Sequence, residues 1–177
     1  MNKILLNALF YQATWFASVL GAARGYWWAG AVVLMVFAAW QLGDRRSRGT
    51  DLRLVAVALL CGLVIDSVLA WNHIAFYAAP QPSTIWAPVW ILVMWAGFAL
   101  TLNHSLALLQ RHLLAGAVLG AVGAPLAYLA AGGFHAVAFA PPSWIGLAWL
   151  AITWALALPL LLILARRWSA AAAQVPA

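Results

Sequence analysis

Residues 52–75 read LRLVAVALLCGLVIDSVLAWNHIA. A helix that crosses a bilayer needs roughly 20 mostly apolar residues, and this run meets that length. Its one interior acid is Asp66. From Arg53 to Asp66 the helical rise amounts to about 20 Å, which predicts a carboxylate deep in the hydrocarbon. Five further segments have the same character: Ile4–Ala22, Tyr26–Leu42, Trp86–Leu109, Leu113–Ala131 and Trp144–Ala165. The breaks between them are Gly21–Gly25 with Arg24, GDRRSRGTD at 43–51, AAPQPST at 78–84, the polar turn at Gln110–His112, and the stretch from Gly132 to Ser143 with its Gly-Gly and Pro-Pro. Proline and glycine clusters of this kind end helices.

Composition agrees. Of 177 residues, 67% are hydrophobic and 7% are charged, against about 25% charged in soluble domains. Twelve charges cannot wet the surface of a soluble fold this size. A single cysteine, Cys61, excludes an intrachain disulfide and a cysteine-based zinc site. No ten-residue alternating segments suggest a β-barrel. The first segment is interrupted by Asn7, Tyr11 and Gln12, so it reads as a retained span rather than a signal peptide. The expectation is an all-α, polytopic membrane protein. It would be one domain, residues 1–168, of six transmembrane helices, with a flexible tail at 169–177.

Charge sets the orientation. Eight of the nine Lys and Arg fall on the side that holds both termini; the other side has only Arg24. By the positive-inside rule both ends are cytoplasmic, in an inner (cytoplasmic) membrane. The net charge of +6 is then explained by topology and anionic headgroups, and needs no nucleic-acid partner. A shift of 59 residues aligns Pro82, Trp90 and Trp95 with Pro141, Trp149 and Trp154. This points to a parallel repeat of two helical hairpins; a chance alignment in a Trp-, Ala- and Leu-rich chain is the alternative.

Polar residues inside spans are expensive and mark sites or interhelical glue. Asp66, His73 and Tyr77 fall at i, i+7 and i+11 on the third helix, with Asn72 alongside. On the first helix Asn7, Tyr11, Thr14 and Ser18 make a similar stripe, flanked by Gln12. Both stripes should face inward, toward each other, as the walls of a polar cavity. Arg24 is a candidate for a lipid headgroup, or else a snorkelling anchor. Of the twelve tryptophans, Trp86, Trp90, Trp95, Trp149 and Trp154 are candidates for the wall of an apolar pocket, or for packing. The two external histidines, His73 and His135, lack further ligand spacing, so no metal and no cofactor is implied. No nucleophile elbow, phosphate loop or dinucleotide fingerprint is present.

Asn7, Tyr11, Gln12 and Trp15, the deep Asp66, PVW at 88–90, NHS at 103–105, APLAYLAAGG at 124–133 and the pair Trp154 and Pro159 together resemble one family. It is the small proteobacterial inner-membrane family catalogued as domain of unknown function 2878. The resemblance covers nearly the whole chain and implies no established activity, ligand or catalytic residue. Members are similar in lying near fatty-acid-modifying genes, so the resemblance implies lipid-related work. Three functional classes stand open: a binder or modifier of a lipid-like molecule, a proton-coupled transporter in which Asp66 titrates, and an accessory subunit of a fatty-acid-modifying system.

Overall fold

The structure, a computed structural model, describes residues 2–173. Helix α1 (Lys3–Ala23) begins where the Asn2 side chain accepts the Ile4 amide N–H at 3.1 Å, a standard way of satisfying a free helix-terminal donor. Helices α2 (Ala29–Gln41), α3 (Arg45–Trp71), α4 (Val89–Ala99), α5 (Leu113–Gly133) and α6 (Trp144–Ala173) follow, with a short 3-10 turn at Ala107–Arg111. Two three-residue strands, β1 (Ala75–Tyr77) and β2 (Val137–Phe139), interrupt them.

Among the described residues there are six α-helices, and four of them, α1, α3, α5 and α6, are long and apolar enough to cross a membrane. The sequence reading drew six such spans. The other two helices have 13 and 11 residues, about 20 and 16 Å of rise against ~30 Å of hydrocarbon. In α4 the shortening has local causes. Pro88 holds the chain extended at the N-terminal boundary, so the helix starts at Val89 rather than Trp86. At the other end polar side chains take over the carbonyls: Thr101 donates to Phe98 O at 2.6 Å, Asn7 to Leu100 O at 2.9 Å and Gln110 to Leu102 O at 2.9 Å. Irregular backbone at membrane depth survives only where protein satisfies it.

The run GDRRSRGTD is not the loop it resembled. Asp44 caps α3 by accepting the Arg46 amide N–H at 3.0 Å, and the helix is under way from Arg45. At the C-terminus, α6 continues through Ala173, past the Trp168 boundary expected for the tail; residues 174–177 lie outside the described residues.

Helix α4 lies at the centre, with Trp90, Ile91, Val93 and the whole run Trp95–Ala99 buried. A helix apolar on every side belongs inside such a bundle. It packs against α1, α2 and α3, while α5 packs closely on α6. Gly116 and Gly120 make the latter approach possible: a Cβ at Gly116 would come within 2.6 Å of Leu162 Cδ1, and one at Gly120 would strike the Trp154 backbone. Small residues four apart are the usual device for close helix contact in lipid. The outward faces carry Met35, Leu60, Leu114, Leu156 and other exposed apolar side chains, as a lipid-facing surface requires.

Strands β1 and β2 pair antiparallel, Ala75 with Phe139, Phe76 with Ala138 and Tyr77 with Val137. Two flanking bonds extend the ladder, Ala78 N–H to Ala136 O at 2.8 Å and Ala140 N–H to Ile74 O at 3.0 Å. The loop after α3 is thereby tied to the loop after α5.

Candidate functional site

Asp66 is fully buried. Three neutral donors converge on its carboxylate. Tyr77 donates to Oδ1 at 3.0 Å, Tyr128 donates to the same oxygen, and the Trp95 indole donates to Oδ2 at 2.9 Å. They come from β1, α5 and α4. No Lys or Arg is among the partners, so the group depends on hydrogen bonds rather than an ion pair. Trp95 reaches it over Gly62, one turn before Asp66 in α3: a Cβ at Gly62 would lie 2.6 Å from Trp95 Nε1.

Two expectations about this residue are corrected. Helix α3 ends at Trp71 rather than at Ala75, so Asp66 sits five residues from its C-terminal end, about 8 Å by helical rise. Its partners are also not the stripe on α1. Tyr77 meets it because α3 stops at Trp71, His73 adopts φ 53°, and the chain folds back as β1. The expected helical face of Asp66, His73 and Tyr77 therefore does not exist. His73 and Asn72 are exposed; Asn72 donates to Val68 O at 2.8 Å and His73 stacks on Phe76.

The α1 residues divide among three environments. Thr14 is buried and donates to Phe10 O at 2.9 Å. Asn7 belongs to a polar network at the opposite end of the bundle, donating to Gln41 Oε1 at 2.8 Å and accepting from Ser105 Oγ at 2.7 Å. Tyr11 and Gln12 line a pocket. Arg24 is exposed at the end of α1 and donates to Leu20 O at 3.1 Å.

That pocket has a volume of about 700 Å³ and lies among α1, α4, α5 and α6. Trp15, Trp95, Phe98, Tyr128 and Trp154 form its aromatic wall. Trp95 and Trp154 stack with centroids 4.2 Å apart. Gln12, Leu119 and Leu126 line it and are exposed, so it reaches the surface between α1 and α5. Its polar content is small: Tyr11 and Gln12 make no side-chain hydrogen bond among the described residues, and the buried Trp154 Nε1 has no partner.

Of the five tryptophans expected in a pocket wall, only Trp95 and Trp154 line this one. Trp90 is fully buried and donates to Ala78 O at 2.9 Å; Trp149 donates to Ile65 O at 3.1 Å; Trp86 is exposed and packs edge-on against Trp71. Asp66 is not a lining residue. It stands behind the wall and holds Tyr128 and Trp95, which are.

Sequence reasoning missed two residues. Tyr128 lies in APLAYLAAGG, a stretch noted only for the family resemblance. Asp51 was assigned to the loop, yet it is fully buried in α3 and accepts from Asn103 Nδ2 at 2.8 Å. Among the described residues no three His, Cys, Asp or Glu side chains come together to hold a metal ion.

Four membrane-length apolar helices, α1, α3, α5 and α6, place the chain among multi-pass helical membrane proteins. Residues 4–160 match the family described as "Protein of unknown function (DUF2878)", and the chain belongs to that family. No curated protein and no solved structure matches it.

Proposed function

We propose that the protein binds a lipid-like molecule within the bilayer, in the pocket among α1, α4, α5 and α6. The observation that carries this reading is a cavity of about 700 Å³, aromatic-walled and opening laterally between α1 and α5. Ligand sites are of this size, mostly apolar with a few fixed polar groups. The exposed Gln12 amide at the rim supports the same reading, since an unpaired amide facing hydrocarbon is costly. The Tyr11 hydroxyl offers a further polar contact for a ligand oxygen. Asp66 acts in this scheme as a positioning residue for Tyr128 and Trp95. A transporter in which Asp66 meets the cargo is less well supported, because its carboxylate is sealed behind the wall.

The proposed setting is a bacterial inner membrane with six membrane-embedded helices and both termini in the cytoplasm. The charge asymmetry supports it. A parallel repeat of the α3–β1–α4 and α5–β2–α6 hairpins rests on the 59-residue alignment alone, because the β1–β2 pairing relates residues 62 apart by a dyad that any antiparallel pair has. Trp90 and Trp149 donate to non-corresponding carbonyls.

The test is native mass spectrometry of the protein released from membranes, with Gly123→Leu as comparison. Gly123 lines the pocket, and a Cβ there would make only an ordinary 3.7 Å contact with Leu119. Wild type should carry a co-purifying amphiphile, and the variant should lose it at least about tenfold while staying folded. Equal retention by both would refute the proposal.

A further inference from the structure

At the end of the bundle opposite the β1–β2 pair lies a second cavity of about 690 Å³, lined by Lys3, Trp40, Gln41, Asp44, Asn103 and His104 among others. Its chemistry differs from that of the aromatic pocket. His104 Nε2 lies 3.0 Å from Oδ2 of the buried Asp51, and 2.8 Å from Gln41 Nε2. About a fifth of the His104 side chain is exposed, and its Nδ1 has no hydrogen-bond partner among the described residues.

The amide orientations around this ring can be deduced in sequence. The Ser105 backbone N–H and hydroxyl both donate to Asn7 Oδ1, so Asn7 Nδ2 faces Gln41 and Leu100 O. Gln41 must then present Oε1 to Asn7, which turns its Nε2 toward His104. In its neutral form the ring cannot both accept from Gln41 and donate to Asp51 through one nitrogen. The charge-assisted bond is roughly twice as strong as a neutral one, so the proton sits on Nε2, toward Asp51. Nδ1 keeps its lone pair.

We propose that this cavity binds an anionic, hydroxyl-bearing ligand: Asp51 holds the His104 proton on Nε2, so that the free Nδ1 accepts a hydrogen bond from the ligand hydroxyl, and the Lys3 ammonium, on the same cavity wall, offers a cation to its anionic group. Of the other charged groups near the ring, Asp44 lines the cavity, and its carboxylate is engaged as the α3 cap. The proposal stands apart from the aromatic pocket, which lies on the other side of the segment from Thr101 to Ala107: Thr101, Ser105 and Leu106 line that pocket, and Asn103, His104 and Ala107 line this cavity.

The test uses the full chain in phosphatidylcholine nanodiscs. Nitrogen-15 NMR of the histidines at pH 9 should find the His104 proton on Nε2. In Asp51→Asn it should move to Nδ1, because Asn103 fixes the new amide with its N–H toward Nε2. Carbethoxylation by diethyl pyrocarbonate should modify His104. Ala107→Trp, which fills the cavity from its wall, should slow that reaction at least about tenfold relative to the exposed His112. Glycerol phosphate added in solution, or phosphatidylglycerol placed in the disc, should also protect His104; whichever of the two protects identifies a free solute or a lipid headgroup as the source. A proton on Nδ1 in the wild type, no effect of Ala107→Trp, or no protection by either probe would overturn the proposal. If Asp51→Asn fails to fold, the wild-type tautomer and Ala107→Trp decide the matter.

Discussion

Replacing Asp66 in two ways separates its hydrogen-bonding role from its charge. In Asp66→Leu the Tyr77 hydroxyl, the Tyr128 hydroxyl and the Trp95 indole N–H all lose their acceptor. A buried donor left without a partner costs about 1–3 kcal/mol. Three such donors, allowing for relaxation and non-additivity, give a loss of about 3 kcal/mol or more. Asp66→Asn is different. An amide with its oxygen toward Trp95 keeps the acceptor of the indole N–H, and its nitrogen donates to the two phenol oxygens, whose own O–H protons lose their acceptor. Its cost should be intermediate, about 1–2 kcal/mol. For a chain of this size 1 kcal/mol corresponds to roughly 2–4 °C in Tm. Thermal unfolding in lipid nanodiscs should therefore show a fall of at least about 6 °C for Asp66→Leu and a smaller fall for Asp66→Asn. The reasoning fails if Asp66→Leu melts with the wild type, or if the Asn variant is the less stable of the two.

Gly62→Ala should force Trp95 off Asp66 and destabilise by about 1–3 kcal/mol, the usual cost of overpacking, with a change in tryptophan fluorescence as the readout. Asn7→Ala removes the donor to Leu100 O and Gln41 and the acceptor for Ser105; a loss of about 1–3 kcal/mol is expected, measured by thermal unfolding, and an unchanged Tm would count against a structural role for the network. Reporter fusions after Leu109 and Ala177 should read cytoplasm, and one after Ala79 the exterior; an external C-terminus would end the six-helix topology proposed above.

Helix positions followed well from hydropathy where a segment was long and uninterrupted. The reading placed α1 within one residue at each end, and the starts of α5 and α6 fell at Leu113 and Trp144 as expected. It failed where one polar or cyclic residue outweighed the surrounding pattern. Asp44 as a cap made helix out of an arginine-rich run, which hid Asp51 in an apparent loop. Pro88 and the carbonyl-binding side chains after Ala99 halved the fourth span. The residues around Asp66 were only half visible. Tyr77 was named for the wrong geometry, because a positive φ at His73 turns the chain back, and helical periodicity cannot anticipate such a turn. Trp95 was named, but as pocket wall rather than as a donor. Tyr128 comes from another helix, so its meeting with Asp66 is tertiary and leaves no local signal. The pocket arises in the same way, from four helices that hydropathy alone does not arrange.

Lateral entry of a lipid-like ligand between α1 and α5 is most directly tested by photolabelling. A fatty acid carrying a diazirine at mid-chain would be added to the protein in nanodiscs, irradiated, and the labelled peptides sequenced. Label should concentrate on pocket residues such as Trp15, Gly123 and Leu126, saturate with probe concentration, and fall away in Gly123→Leu. Label spread evenly over the lipid-facing side chains, with Leu60, Met35 and Leu156 marked as heavily as Leu126 and no effect of Gly123→Leu, would contradict it.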